Sequence, residues 1–294
     1  MTVGDAGMLM HTHDCANPEQ CSVCNENVAL VRLCLSTLRE FEFSQMPLLP
    51  FVQSCIVRYL EHTDCSVRRE AATTCAKLLM PKGAPRRRRG PTAEIVQHVL
   101  GQLLTVGVSD ANADVRFVVV KSLDTPFDMF LAQPEFLRPL LIALNDEEFD
   151  IRRQAVAILR RLSACNPAYV LPPLRRLLIQ LLTELQFSQD MRTREESVRS
   201  LGQILCASKQ LVKCYLRPII TALQPKLEAA SVSLATATLE TLGELCRVVG
   251  ADMLPYVGQL LPLVIEMLNT TSIRMRTVAL STLGYLVGFK TFEI

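Results

Sequence analysis

The sequence predicts an all-α solenoid, a superhelix of stacked helix pairs, and three observations carry that expectation. A Leu-Gly pair recurs at Leu201-Gly202, Leu242-Gly243 and Leu283-Gly284, each 41 residues after the last. A fixed period near forty, with helical patterning between the marks, is the sign of a repeated helix pair. Apolar residues follow helical spacing: Leu174, Leu177, Leu178, Leu181, Leu182 and Leu185 line one face of an α-helix. Ile151, Ala155, Ile158, Leu159 and Leu162 make the same stripe, with Arg153 and Arg160 falling away from it. Finally, no stretch sustains the alternation of period two that a half-buried strand needs.

Taken in order, residues 1–26 read as an irregular leader containing Cys and His. A first helix follows near 27–41, then pairs near 47–80, 92–124, 133–164, 168–207, 210–249 and 252–288. Residues 27–288 thus form a solenoid of about six stacked pairs of the HEAT or armadillo-like kind, an ARM-type superhelix. Within it, 81–91 is a basic loop, because Pro and Gly punctuate it and the run Arg86–Arg89 resists packing. Pro172 and Pro173 are placed in a first turn, where a missing N–H is tolerated. Residues 289–294 read as a truncated end, following a complete repeat with no polar cap.

Four second helices open with an acidic and then a basic residue: Asp64 to Arg68, Asp114-Val-Arg116, Asp150-Ile-Arg152 and Asp190-Met-Arg192. Each Asp is expected to cap its helix, and each Arg to reach an Asp of a neighbouring repeat. That would give a ladder of polar contacts, broken in the fifth pair, where Ala229 to Leu234 lacks the pattern. The Gly of each Leu-Gly pair falls mid-helix, costing about 1 kcal/mol relative to Ala, which points to close approach by an adjacent helix.

Composition narrows the function. Lys and Arg exceed Asp and Glu by only two charges, so no global field commits the chain to nucleic acid, and no aromatic residues interleave the Arg run to stack bases. The most apolar stretches are interrupted well short of a membrane span of about 20 residues. Eleven Cys are too few for a disulfide scaffold of this length, and Cys34, Cys55, Cys75 and Cys206 sit in apolar helical runs as small hydrophobes. A cytoplasmic setting, with access to the nucleus, is the expectation.

Candidate chemistry is sparse. His11, His13, Cys15, Cys21 and Cys24 fall close together, and Cys21-x-x-Cys24 has zinc-knuckle spacing, so His13, Cys15, Cys21 and Cys24 are the zinc candidates. The second half of a paired Cys pattern is missing, and the reading is that there is no metal and no cofactor. His62 and His98 are the remaining His, and Val106-Gly-Val-Ser109 is a helix end, not a phosphate loop. No His-Arg-Asp or Asp-Phe-Gly set occurs, so no catalytic residue is assigned.

The stretch from Asn166 to Leu185 (NPAYVLPPLRRLLIQLLTEL) resembles a segment of the long N-terminal HEAT-repeat arm of the target-of-rapamycin kinases. Val67 to Cys75, Val108 to Arg116, Ala143 to Phe149, Leu239 to Leu245 and Val278 to Val287 extend the likeness in order, over about 28–288. The resemblance implies a segment of a very large serine/threonine protein kinase whose catalytic domain lies elsewhere. It implies a protein-binding scaffold, serving self-association and accessory subunits such as Raptor-type adaptors. The Cys/His leader and the Arg86–Arg89 loop depart from the family pattern. A free-standing HEAT or armadillo adaptor carrying nucleocytoplasmic cargo is the alternative.

Overall fold

The computed structural model describes residues 22–41, 48–80, 90–207, 209–228 and 231–288. Helix α1 (Ser22–Glu40) stands first. The first pair opens with α2 (Leu49–Phe51), widens into a π-helical turn (Val52–Ile56), tightens to a 3₁₀ turn (Val57–Glu61), and returns as α3 (Cys65–Leu79). The second pair is α4 (Pro91–Ser109) with α5 (Ala113–Ser122), and the third is α6 (Asp128–Leu131) and α7 (Pro134–Ala143) with α8 (Phe149–Cys165). Next come α9 (Pro167–Phe187) with α10 (Met191–Leu205), and α11 (Lys209–Cys214) and α12 (Leu216–Leu227) with α13 (Val232–Val249). The sixth pair is α14 (Leu254–Glu266) with α15 (Ile273–Gly288). No strand occurs among the described residues.

The pairs stack in two layers. Second helices follow one another as α1, α3, α5, α8, α10, α13 and α15, and first helices as α4, α7, α9, α12 and α14. The substantial helix contacts join elements of one pair or of adjoining pairs, which is the quasi-one-dimensional connectivity of a solenoid. The expected stripes are the core: Leu174, Leu178, Leu181 and Leu185 are buried, as are Ile151, Ala155, Ile158, Leu159 and Leu162. Each such Leu or Ile contributes about 1.5–3 kcal/mol through loss of apolar surface from water, and this is what holds layer to layer.

Three local expectations are corrected. Helix α1 begins at Ser22, five residues before its expected start near 27; no Pro or Gly falls between Pro18 and this helix to stop it. Helix α9 begins at Pro167, so Pro172 and Pro173 lie inside it and not in its first turn. Interior prolines also occur in α7 (Pro139), α12 (Pro225) and α14 (Pro262), all of them first helices. Each removes one intrahelical hydrogen bond. Cys34 was expected in the core but is exposed on α1, beside Leu30 and Leu33, which are 56% and 62% exposed.

One apolar stretch, Val232–Asn269, is long enough to cross a membrane by length and composition. It is not one rod. Gly250, at φ 69°, turns the chain between α13 and the 3₁₀ turn that leads into α14, and α13 is buried between α10 and α15. A positive φ of this kind suits Gly and little else.

Helix starts are set by short polar side chains. Asp64 accepts from the Ser66 and Val67 amides, Asn112 from Asp114 and Val115, Asp190 from Thr193, and Ser231 from Leu234. Asp64→Ala is expected to cost about 1 kcal/mol, read as a lower midpoint in urea denaturation. Asp150→Ala, in the second turn position of an uncapped helix, should cost less than that in the same measurement.

Candidate protein-interaction surfaces

The polar ladder exists, and Arg68, Arg116 and Arg152 of the expected set carry it, while Arg192 and two of the expected caps do not. Asp114 and Asp150 are not caps: the cap positions are Asn112 and Glu148, and the latter makes no side-chain cap bond. The arginines that matter, Arg68, Arg116, Arg152 and Arg194, each stand four positions after the cap residue of α3, α5, α8 and α10. Each donates back to the carbonyl two positions before that cap: His62, Asp110, Asp146 and Ser188 respectively. The guanidinium thereby pins the turn between first and second helix. Arg192, assigned to the ladder by its sequence spacing, is 81% exposed and pairs only along its own helix with Glu196.

Two of these arginines also bridge forward, each through a two-pronged contact. Arg68 donates to both carboxylate oxygens of Asp110 at 2.7 and 2.9 Å, and Arg116 to both of Asp146 at 2.8 and 3.0 Å. The position two before the next cap is Ser188, which is not acidic, and Arg152 turns to Glu196 on α10 at 2.7 Å. Parallel bidentate bonds fix orientation as well as distance, so they set the register of one pair on the next. Beside this junction is a cleft of about 280 Å³ lined by Asp146, Phe149, Arg152, Gln180, Glu184 and Glu196 among others. Its carboxylates are occupied: Glu184 accepts from Ser197 and Gln180, and Glu196 from both Arg152 and Arg192.

The ladder's electrostatics are legible in its carboxylates. Burial raises the Asp110 carboxyl, but hydrogen bonds from the Arg68 guanidinium and the Asn112 amide, with the charges of Arg68 and Arg116, outweigh it and hold it below its ordinary value. Asp146 is held down in the same way by Arg116, the Glu148 amide and the Arg152 charge. A carboxyl lowered by folding stabilises the protein above its unfolded value and loses that contribution as pH falls through the folded value. The melting temperature is therefore expected to hold near neutrality and to fall steeply below about pH 4. Asp110→Asn with Asp146→Asn should start lower and show a flatter acid limb; an unchanged limb would assign the acid sensitivity elsewhere.

The recurrent Gly is explained by its neighbour. A Cβ on Gly202 would lie 3.1 Å from Thr241 Oγ1, and one on Gly243 would lie 3.0 Å from Thr282 Oγ1. Those hydroxyls donate across the stack, Thr241 to the Val198 carbonyl and Thr282 to the Leu239 carbonyl, at the same offset of 43 residues. Thr74 bonds the Leu35 carbonyl in like manner at the start of the stack. Gly284 occupies the same register on α15 and has nothing within 4 Å. Sequence reading found the Gly and missed the Thr, although Thr241 and Thr282 repeat at the same 41-residue period.

The remaining candidates are structural or undescribed. His62 is a turn residue whose Nδ1 accepts from the Asp64 amide, and His98 is exposed on α4. Gly107 lies within α4, where its missing Cβ makes room for Val119. Glu195 and Glu196 bind arginines as structural partners. Cys75 and Cys246 are buried, and burial pushes both thiols up to about 12. The Cys206 thiol, raised by burial and its bond to Glu244, is a hydrogen-bond donor at 3.3 Å and not a plain apolar contact. Of the zinc candidates, His13, Cys15 and Cys21 lie outside the described residues, as does the Cys24 side chain; so does Arg86–Arg89. Among the described residues, no three His, Cys, Asp or Glu are grouped to hold a metal.

A two-layer stack whose charged pairs fasten one repeat to the next, with no assembled catalytic group among the described residues, defines a HEAT-type helical-repeat scaffold. No protein-family model matches the chain. Known proteins do. It is 39% identical over 251 residues to the serine/threonine-protein kinase TOR2 of Saccharomyces cerevisiae, 37% over 272 residues to mTor of Drosophila melanogaster, and 40% over 278 residues to TOR of Oryza sativa subsp. japonica. These matches take in 85%, 90% and 88% of this chain but only 10%, 11% and 11% of the kinases. The chain belongs with the target-of-rapamycin kinases as a counterpart of their HEAT-repeat portion, and the stretch it matches is not a catalytic one. Among solved structures it is similar to Kap121p bound to Ste12p, with a TM-score of 0.54 at 18% identity, covering 92% of this chain and 26% of that one. Kap121p bound to Nup53p gives 0.54 at 17%, covering 94% and 27%. At that identity the likeness is one of fold.

Proposed function

We propose that this chain is a non-catalytic scaffold segment in target-of-rapamycin signalling. It would present helix faces and turn edges for self-association and for accessory subunits of the Raptor type, in the cytoplasm with access to the nucleus. The observation that supports it most is the match of 85–90% of the chain to about a tenth of each kinase, in a stretch whose described residues form stacked helix pairs. A scaffold works by holding surfaces at fixed spacing, and the Arg–Asp and Gly–Thr locks supply that rigidity.

The test is direct. The purified chain is mixed with a purified Raptor-type subunit and followed by analytical ultracentrifugation, alone and together, alongside a phosphotransfer assay. The expected result is sedimentation of a complex or of a self-associated species, with no phosphotransfer. A chain that stays monomeric beside the subunit would overturn the reading. Binding of a nuclear-import cargo instead would favour the adaptor alternative, whose present support is the fold likeness alone.

A further inference from the structure

The first-helix layer of the fourth and fifth pairs is locally cationic. From Asn166 to Thr183, and again from Lys209 to Leu227, there is no Asp or Glu, whereas Arg175, Arg176, Lys209, Lys213, Arg217 and Lys226 all fall there. Elsewhere Arg39, Arg68, Arg116, Arg152, Arg161, Arg199, Arg247 and Arg274 each meet a carboxylate. Here Arg176, Lys209 and Arg217 have no carboxylate partner among the described residues.

Between α9 and α11 runs an open groove of about 500 Å³ lined by Leu171, Pro172, Arg175, Arg176, Ile179 and Leu211. Leu171, Arg175 and Ile179 are spaced four apart, so one face of α9 supplies most of one wall. Arg175 is held in place by its bond to the Tyr215 hydroxyl and by lying 5.5 Å over that ring. Arg176 is exposed and unheld. Ile179 is 45% exposed, an apolar side chain open to water at the groove's edge.

We propose that this groove is a docking site for an acidic peptide segment that also carries apolar side chains, contributed by a protein partner. The proposal rests on the scaffold reading above and names the surface it would use. Apolar side chains of the segment would cover Leu171, Pro172, Ile179 and Leu211, and its carboxylates would meet Arg175 and Arg176. A guanidinium with no partner of its own loses no existing ion pair on binding, and rim charges of one sign select a partner of the other.

The experiment uses the full chain and three labelled synthetic peptides read by fluorescence anisotropy. One is built of Leu and Glu, one replaces every Leu with Ser at equal charge, and one replaces every Glu with Lys. The Leu/Glu peptide is expected to bind, and the other two to bind at least about tenfold more weakly. Arg176→Glu and Ile179→Asp should each weaken it about tenfold, with helical circular dichroism and melting unchanged because both side chains are exposed. Leu280→Asp, exposed on α15, should leave it alone. Equal binding of the Ser/Glu peptide would reduce the site to diffuse charge and overturn the proposal. So would variants without effect, or binding to phosphatidylserine vesicles in place of the peptide. If the groove variants bind a Raptor-type subunit normally while the peptide fails, the groove is wrong and the scaffold reading stands.

Discussion

Asp146→Ala is expected to lower the unfolding free energy by about 3–5 kcal/mol, the scale for breaking a buried ion pair from one side. The side chains of Asp146 and Arg116 are only 7% and 11% exposed, so the loss is not made good by water. Removing the carboxylate strands a guanidinium that would keep only the Asp110 carbonyl, and it frees the Glu148 amide at the start of α8. The effect should be read by urea denaturation at neutral pH. Pairing Arg116→Met with Asp146→Leu should recover most of the loss, because an apolar pair of similar volume is often no worse than the ions it replaces. A cost under about 1 kcal/mol for Asp146→Ala would place the pair in the class of surface salt bridges and remove the ladder as a source of register.

Gly243→Leu is expected to cost about 2 kcal/mol net. A Leu gains helix propensity of about 0.8 kcal/mol over Gly, but overpacking costs more than that gain. The added side chain must displace Thr282, whose hydroxyl is bonded to the Leu239 carbonyl and is 1% exposed, so α13 and α15 are forced apart. Gly284→Leu is the matched control. Nothing lies within 4 Å of its Cβ position, and it should stabilise by about 0.5–1 kcal/mol. The opposite signs at two Gly of one period are the test, measured as shifts in the melting temperature of the purified chain. If both substitutions act alike, the Gly reflects helix propensity and not packing.

Much of the fold could be read locally. Stripes such as Leu174 to Leu185 follow from the helical period, which is a property of neighbouring residues. The residue-by-residue order of pairs from 47 to 288 agrees with the helices observed, within a few residues. The candidate surface was less legible. The unpaired arginines of α9 and α12 lie far apart in sequence, and nothing local marks Arg175 as bound to Tyr215 while Arg176 is open. The Asp-x-Arg pattern marked Arg116 and Arg152 correctly but misplaced the caps, which fall on Asn112 and Glu148 and not on Asp114 and Asp150.

What the sequence by itself determined is the all-helical repeat, its period, the caps at Asp64 and Asp190, and the close approach at Gly202 and Gly243. These depend on side-chain spacing and backbone stereochemistry within a single helix. The tertiary structure alone decided the partners: Arg68 with Asp110, Arg116 with Asp146, Arg152 with Glu196, and Thr241 over Gly202. The reason is geometric. The cap residues of α3, α5, α8 and α10, namely Asp64, Asn112, Glu148 and Asp190, are unevenly spaced. Contact between pairs follows distance from the cap and not distance along the chain, so only the stacked helices bring the charges into register.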